Sequence, residues 1–533
     1  MKRFLSLVLG VAASTLMLYS QSETDVLLTS RNILTGSARS MSLSNAMGAI
    51  GGDLSALYIN PAGIAIYQSS EFTFSQGLNF SGTKSDYEGL TRDDNFTSAP
   101  FQSIGFIGTY KPMRQTGKGL VSAHFSFNYN RTNNFSNNIT VEGEKITSSM
   151  LDDFRYNAEN LTPDDLAAPG YKQYFTSNLA YYAYLLEPIQ ISDNQISYYH
   201  SFEDYDIVDG EYKFYSRLTP NGINQKQYID TRGYSGEYSF AGGINLSNQF
   251  YIGGSLNFQH LKYERSTSYR EEPQGLEDAV NPVLVEGENL NVDYFEFMTN
   301  LNLQGNSVNA KLGLIYKPIH ELRLGFAYHS PNFYNFQQDY YTYIKAGYSD
   351  HTSIDKSTET AQYDYNFRSP SKLIGSLGYL LGNFGFVSVD YEYQNVANSK
   401  FISRDRNLNF DGEFQDLNDN VKDHFQSTHA IRAGIEIKPQ PSLALRIGGG
   451  YYTSPQKDGF RQELKANNLY TASGGIGYRN NLFFLDVAYM AIIQDYDYLP
   501  YNYDDPSNLG YRNQPVNIKS LDNRFAVTLG WKF

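Results

Sequence analysis

The chain has 533 residues, 41% of them hydrophobic and 18% charged, and its mean hydropathy is −0.46. Those values exclude a helical membrane protein, which needs repeated apolar runs of about 20 residues, but not a membrane β-barrel, whose alternating strands average out to polar. A net charge of −14 argues against nucleic acid as a partner, and the lack of cysteine removes disulfides, thiolate metal sites and lipidation.

In chain order, Lys2 and Arg3 precede an apolar run over residues 4–18, and Tyr19, Ser20, Gln21 and Ser22 follow. This is the layout of a secretory signal peptide, too short to anchor in a membrane, and it sets residues 1–22 apart from the fold. Residues 23–70 form a second unit, a tail followed by a plug. The tail, 23–35, carries Val26, Leu27, Leu28, Ile33 and Leu34. The plug, 36–67, is rich in small residues, with five glycines and one proline, and suits neither a strand nor a long helix. Gly and Ala let a segment pack closely against other side chains. Pro61 fixes its own backbone and pushes Asn60 out of the helical region. A soluble β protein with an N-terminal loop is the alternative reading of this stretch.

From residue 71 to residue 533 the period is two. Phe72, Phe74, Leu78 and Phe80 alternate with Thr73, Ser75, Asn79 and Ser81, and Val121 to Tyr129 alternate with Ser122 to Asn130. The same pattern ends in Phe525, Val527, Leu529, Trp531 and Phe533. Side chains on a strand point alternately to two faces, so each segment has one apolar and one polar face. Short connections, such as 247–249 and 382–383, alternate with long polar stretches at 83–100, 132–233, 265–293, 331–368, 398–423, 454–468 and 494–522. Such alternation is that of a bacterial outer-membrane barrel, with short turns on one side and long loops on the other. The count is about fourteen strands, all antiparallel, and closure pairs every backbone group that lipid would leave unsatisfied. The 46 Tyr and 34 Phe, against one Trp, suit two aromatic girdles. Arg323, Arg432, Arg446, Lys311, Asp390, Glu392, Glu436 and Asp486 fall on the polar parity, which faces the lumen.

The longest outer stretch carries helical signals. Met150, Leu151 and Phe154 have helical spacing, and Thr162-Pro163-Asp164-Asp165 reads as a helix start. Leu179, Tyr181, Tyr182, Tyr184, Leu185 and Leu186 form an apolar, aromatic run. They suit either a groove for a hydrophobic ligand or the small core of the loop itself. No catalytic motif stands out, so no enzyme activity, cofactor or metal is expected. His424 and His429 read as an exposed pair, and Asp416, Asp419 and Asp423 as a solvated acidic patch.

Three stretches carry a family resemblance. Residues 42–65, SLSNAMGAIGGDLSALYINPAGIA, resemble the N-terminal hatch of the FadL long-chain fatty acid transporter family, which includes toluene-type transporters. Asp53, Tyr58, Asn60, Pro61, Ala62 and Gly63 carry the motif. Residues 308–331, VNAKLGLIYKPIHELRLGFAYHSP, resemble the family's G-x-x-Y-x-P … L-R-L-G-x-A-Y-x-S-P hairpin, and the chain ends in an outer-membrane-type strand with a terminal Phe533. The resemblance implies a fourteen-stranded barrel in a Gram-negative outer membrane, plugged by the hatch and monomeric. It also implies uptake of long-chain fatty acids or similar molecules: capture between outer loops, transfer to an inner pocket, and lateral release at a kinked third strand. No proline or bulge signal in residues 117–131 marks that kink. His124, Arg323, Arg432 and Arg446 are the lumen-facing candidates for ligand contact. A secretion shuttle of the same superfamily, or a porin or adhesin, are the alternatives.

Overall fold

A computed structural model describes residues 23–31, 33–113, 119–167, 175–192, 195–404, 414–457, 467–501 and 514–533. The signal-peptide expectation therefore lies outside the described residues.

Among these residues fourteen staves close a single antiparallel barrel. They are β1 (Glu71–Tyr87), β2 (Leu90–Ser98 with Phe101–Tyr110), β3 (Leu120–Asn134 with Asn137–Ile146), β4 (Ile223–Leu246), β5 (Phe250–Pro273), β6 (Val292–Tyr316) and β7 (Leu322–His329 with Phe333–Tyr348). The circuit continues through β8 (Ala361–Arg368 with Lys372–Leu380), β9 (Gly385–Asn395 with Lys400–Ser403), β10 (Ser427–Gln440), β11 (Leu443–Tyr452), β12 (Leu469–Arg479), β13 (Phe483–Tyr498) and β14 (Val516–Lys532). Pairing of β14 with β1, from Glu71 opposite Lys532 to Asp86 opposite Asn517, removes the sheet edge. Both ends lie on the short-turn side, where the Phe533 N–H donates to the Ser70 carbonyl.

The two faces differ as the period predicts. Phe74, Leu78, Phe80, Phe125, Phe127, Phe240, Leu256, Phe258, Leu312, Phe326, Ile447, Val487, Phe525 and Trp531 are exposed on the outside. Ser75, Asn79, Asn128, Asn257, Lys311, Asp390, Arg432, Glu436, Arg446 and Asp486 are buried in the lumen. An apolar band that wraps a closed sheet is the surface of a membrane-spanning barrel. Among the described residues no helix is long and apolar enough to cross a membrane.

The strands run well past that band. Residues expected to be loop, at 83–87, 90–98, 223–233, 265–273 and 333–348, are strand. Once a stave leaves the membrane both faces meet water or the loops, so the apolar alternation that marks it disappears while its ladder continues. The connection from β1 to β2 is a two-residue turn at Glu88 and Gly89, both at positive φ, and not a long loop.

The long connection from β3 to β4 folds into a cap. Its helices are α3 (Met150–Ala158), α4 (Pro163–Ala167) and α5 (Phe175–Tyr182), followed by hairpins Leu186–Ser192 with Gln195–His200 and Glu203–Val208 with Glu211–Ser216. Thr162 and Asp165 exchange hydrogen bonds at the start of α4, with Pro163 at its first position. A further helix (Gln415–His424) precedes β10.

Candidate functional site

The hatch crosses the bore. Its first helix, α2 (Ala38–Ser42), lies against β12, β13 and β14, and a 3-10 turn at Pro61–Ile66 lies against β4, β5 and β6. The motif residues build the turn that connects these contacts. Asn60 caps it, its Oδ1 accepting from the Ala62 N–H at 3.0 Å, while its Nδ2 donates to the Gly48 carbonyl at 2.8 Å. Pro61 takes the first helical position, where no N–H is required. Gly63 backs onto Gly51, and the Gly52 N–H donates to the Gly63 carbonyl. Asp53 accepts from the Ser37 hydroxyl at 2.7 Å and the Ser55 N–H at 2.9 Å, tying the start of the hatch to its middle.

The wall receives the hatch through missing side chains. A Cβ on Gly253 would come within 2.3 Å of the Pro61 carbonyl oxygen, and one on Gly448 within 2.4 Å of the Leu43 carbonyl carbon. Glycine at both positions lets the two backbones touch.

Polar pins complete the seat. Arg39 pairs with Glu436 at 3.3 Å, and Asp390 accepts from the Gly48 N–H at 3.0 Å. Arg323 donates to the Ile50 carbonyl at 2.8 Å. Lys311 sits over the Tyr58 ring at 3.8 Å, donates to the Tyr58 carbonyl and pairs with Glu237. Of the other lumen candidates, Arg432 pairs with Glu392 at 2.9 Å, and Arg446 bridges Glu436 and Asp486 at 2.7 and 2.6 Å. His124 is held by Thr109 and Ser122 low on β3.

Above the hatch lies a cavity of about 390 Å³. The tail enters the bore as α1 (Glu23–Ser30) and supplies Leu27, Leu28, Arg31 and Ile33 to the cavity. Val26 anchors this helix in an aromatic cluster with Tyr263, Phe336, Tyr365 and Phe401, and the Tyr365 hydroxyl donates to Asp25 at 2.7 Å. The rest of the lining is apolar (Ile139, Ile229, Leu469, Ile492, Ile518) with Tyr496 and Tyr498.

Three guanidinium groups face this space with one carboxylate. Arg524 pairs with Asp522 through Nε at 2.7 Å, while among the described residues its buried Nη1 has no hydrogen-bond partner. Arg265 reaches the Tyr498 hydroxyl at 3.3 Å, and its Nε is likewise unpartnered. Arg31 donates to Asn467 and the Thr453 carbonyl, and burial pulls its guanidinium down to about 10. None of the ligand-contact candidates Leu179, Tyr181, Tyr182, Tyr184, Leu185, Leu186, His124, Arg323, Arg432 or Arg446 lines this cavity. Arg524 was within reach of the sequence, since it has the lumen parity of the last strand. Arg265 lies where the apolar alternation has ended.

The wall beside the cavity is incompletely zipped. The β2–β3 ladder runs from Tyr110 opposite Ala123 to Ser103 opposite Asn130 and stops. Beyond it, residues 90–98 of β2 pair with β1, and residues 137–146 of β3 pair with β4. The break falls at Ala99-Pro100 on β2 and Phe135-Ser136 on β3, so the interruption is read from the pair and not from 117–131 alone. Side chains span the seam: Asp94 accepts from the Thr140 N–H at 2.6 Å and its hydroxyl at 3.0 Å, and Arg92 pairs with Glu142. Residues 133–137 and Ile139, along this seam, also line the cavity.

In the outer cap, Leu179, Leu185 and Leu186 are buried with Leu151, Phe154, Phe202 and Phe295. Tyr181 and Tyr184 pack against that core, and Tyr182 is exposed. The cap also gathers Asp152, His200 and Glu203, whose ligand atoms lie within 4.8 Å of one another. Arg155 approaches Glu203 at 3.5 Å, so a cation already serves these carboxylates. Burial disfavours a charged His200 ring, but Glu203 and Asp152, at 3.3 and 3.0 Å, outweigh it and hold the imidazole above its ordinary value. A raised histidine value stabilises the folded cap fully below about pH 6.5, and that contribution is lost as the pH rises through the raised value. His200→Gln is expected to cost the cap about 1.5–3 kcal/mol at acidic pH and to flatten the pH dependence of its protection in limited proteolysis.

No protein-family model matches the sequence, and no curated protein matches it. Among solved structures, a Pseudomonas aeruginosa FadL homologue superposes with a TM-score of 0.50 at 10% identity, over 94% of this chain and all of that one. The P. putida toluene transporter TodX gives 0.47 at 11% identity over 92% and 98% of the two chains, and the CymD monoaromatic hydrocarbon channel 0.46 at 8% over 93% and 97%. The first likeness shows a FadL-type barrel fold.

Proposed function

We propose that this chain is a Gram-negative outer-membrane transporter that takes up long-chain fatty acids or similar hydrophobic molecules. The observation that carries the reading is the cavity between hatch and tail: apolar walls, guanidinium groups in excess of carboxylates, and a position beside the β2–β3 seam. A volume of about 390 Å³ lies in the range of small-molecule sites, roughly 300–1,000 Å³. Burial of an acyl chain contributes about 0.8 kcal/mol per CH₂, and the unpartnered guanidinium N–H groups suit a carboxylate. The FadL-type fold and the hatch motif agree with this assignment.

In this reading a molecule enters from the outer cap and settles in the cavity with its head group on the arginines. It leaves sideways through the seam into the bilayer, while the hatch bars the direct path. Bifunctional thiol crosslinking of an Asp94→Cys/Thr140→Cys variant tests the exit. Delivery of a fluorescent fatty acid into vesicles should fall about tenfold or more, with affinity in detergent unchanged within about twofold. Undiminished delivery through the crosslinked wall defeats the lateral route. Recovery of secretion components, and no lipid, with the purified barrel favours the shuttle.

A further inference from the structure

Among the described residues, the outward face of β8 and β9 carries two cations with no anion paired to them. Arg368 lies directly opposite Lys400 in the ladder, and both point away from the lumen, since their neighbours Phe367 and Phe401 are buried inside. Paired positions on one face of a sheet hold their Cβ atoms about 4.5–5.5 Å apart, and like charges there repel. Among the described residues neither side chain has an ion pair or a hydrogen bond. The carboxylate on the same outward face of the strand is committed elsewhere: Asp364, four residues before Arg368, pairs with Arg404 at 2.6 Å. Two uncompensated cations set face to face, in a chain whose net charge is otherwise −14, attract an anion from outside.

Their height identifies its source. The row of wall residues below them is Tyr328, Leu373 and Tyr393, the outer edge of the lipid-facing band. The cations' own row continues through Phe333 to Val308 and Phe258, all exposed. The row above holds His260, Asn306, Asn335 and Asn366 in register on four adjacent strands, His260 bonded to Asn306 and Asn335 to Asn366. An apolar floor, a pair of cations and a shelf of amides follow one another along the membrane normal. We propose that Arg368 and Lys400 dock the phosphorylated head group of a glycolipid in the surrounding leaflet, with acyl chains on the apolar band and sugars against the amide shelf.

Native mass spectrometry of the full-length barrel in neutral detergent tests this, with diphosphoryl lipid A as probe beside its dephosphorylated form and inorganic phosphate. The wild type should retain diphosphoryl lipid A, and R368Q/K400Q should lose about twenty-five-fold in affinity, about fivefold for each charge removed. The dephosphorylated form should not distinguish the two proteins, and inorganic phosphate should not displace the lipid. Without any probe, the variant should melt no lower than the wild type, because a repulsion has been relieved. Equal retention by the variant, equal binding of free phosphate, or a variant destabilised in the absence of lipid would each overturn the assignment.

Discussion

A chain lacking residues 36–67 is expected to insert as a closed barrel that conducts ions and passes small sugars, where the full chain gives no steady conductance. The staves owe their closure to one another: β14 pairs with β1 along nearly its whole length without hatch participation. The hatch contributes side chains to three separate apolar contacts, with Ala38 and Met41 on one sector, Leu43, Met47 and Ile50 on a second, and Leu54, Leu57 and Ile64 on a third. Removing it empties the bore beneath a cavity that already borders the β2–β3 seam. Planar-bilayer recording and sugar leakage from liposomes measure the effect, with heat-modifiable gel mobility as the check on folding. A milder variant separates loss of the plug from loss of the fold. Gly448→Val would press a side chain into the Leu43 backbone, and is expected to give intermittent openings in an intact barrel. A deletion barrel that folds and stays sealed would mean that the outer cap, not the hatch, closes the molecule.

The wall was legible because lipid imposes one rule on every stave. Phe525, Val527 and Leu529 must face outward and Arg524 inward, so period two survives wherever the strand is in the membrane. The hatch motif was legible for another reason: Asn60-Pro61 and Gly63 encode a cap, a helix start and a backbone contact within a few residues. Legibility ended where neither constraint acts. Residues 265–273, and those of β7 beyond Phe333 with Asn335, Gln337 and Asp339 outward, are strands with polar exteriors, indistinguishable by pattern from loops. The cavity was hidden for the same reason, because α1, β3, β5, β13 and β14 bring together side chains hundreds of positions apart. Arg323 and Lys311 had the right parity for a ligand site, yet in the fold their donors reach hatch carbonyls. Parity places a charge in the lumen; only the hatch's position decides what it meets there.

The Arg31→Gln/Arg265→Gln variant is expected to bind a long-chain fatty acid roughly tenfold to a hundredfold more weakly, with its methyl ester bound as before within about twofold. The argument is one of desolvation. Among the described residues the buried Nε of Arg31 and that of Arg265 each lack a hydrogen-bond partner, and Arg31 is depressed by burial. A carboxylate placed between them would restore the missing interactions, and a hydrogen bond to a charged group contributes about 1.5–3 kcal/mol. The ester offers the same chain without the charge, so it isolates the head-group contribution from acyl burial, which should scale at about 0.8 kcal/mol per CH₂ for both ligands. Arg524 is left in place, because its loss would strand Asp522 in the cavity and confuse the comparison. Isothermal titration in detergent measures both ligands on both proteins. If acid and ester weaken together, the arginines shape the cavity and do not read the head group. If neither weakens, the carboxylate lies elsewhere, and the cavity selects its ligand by apolar fit alone.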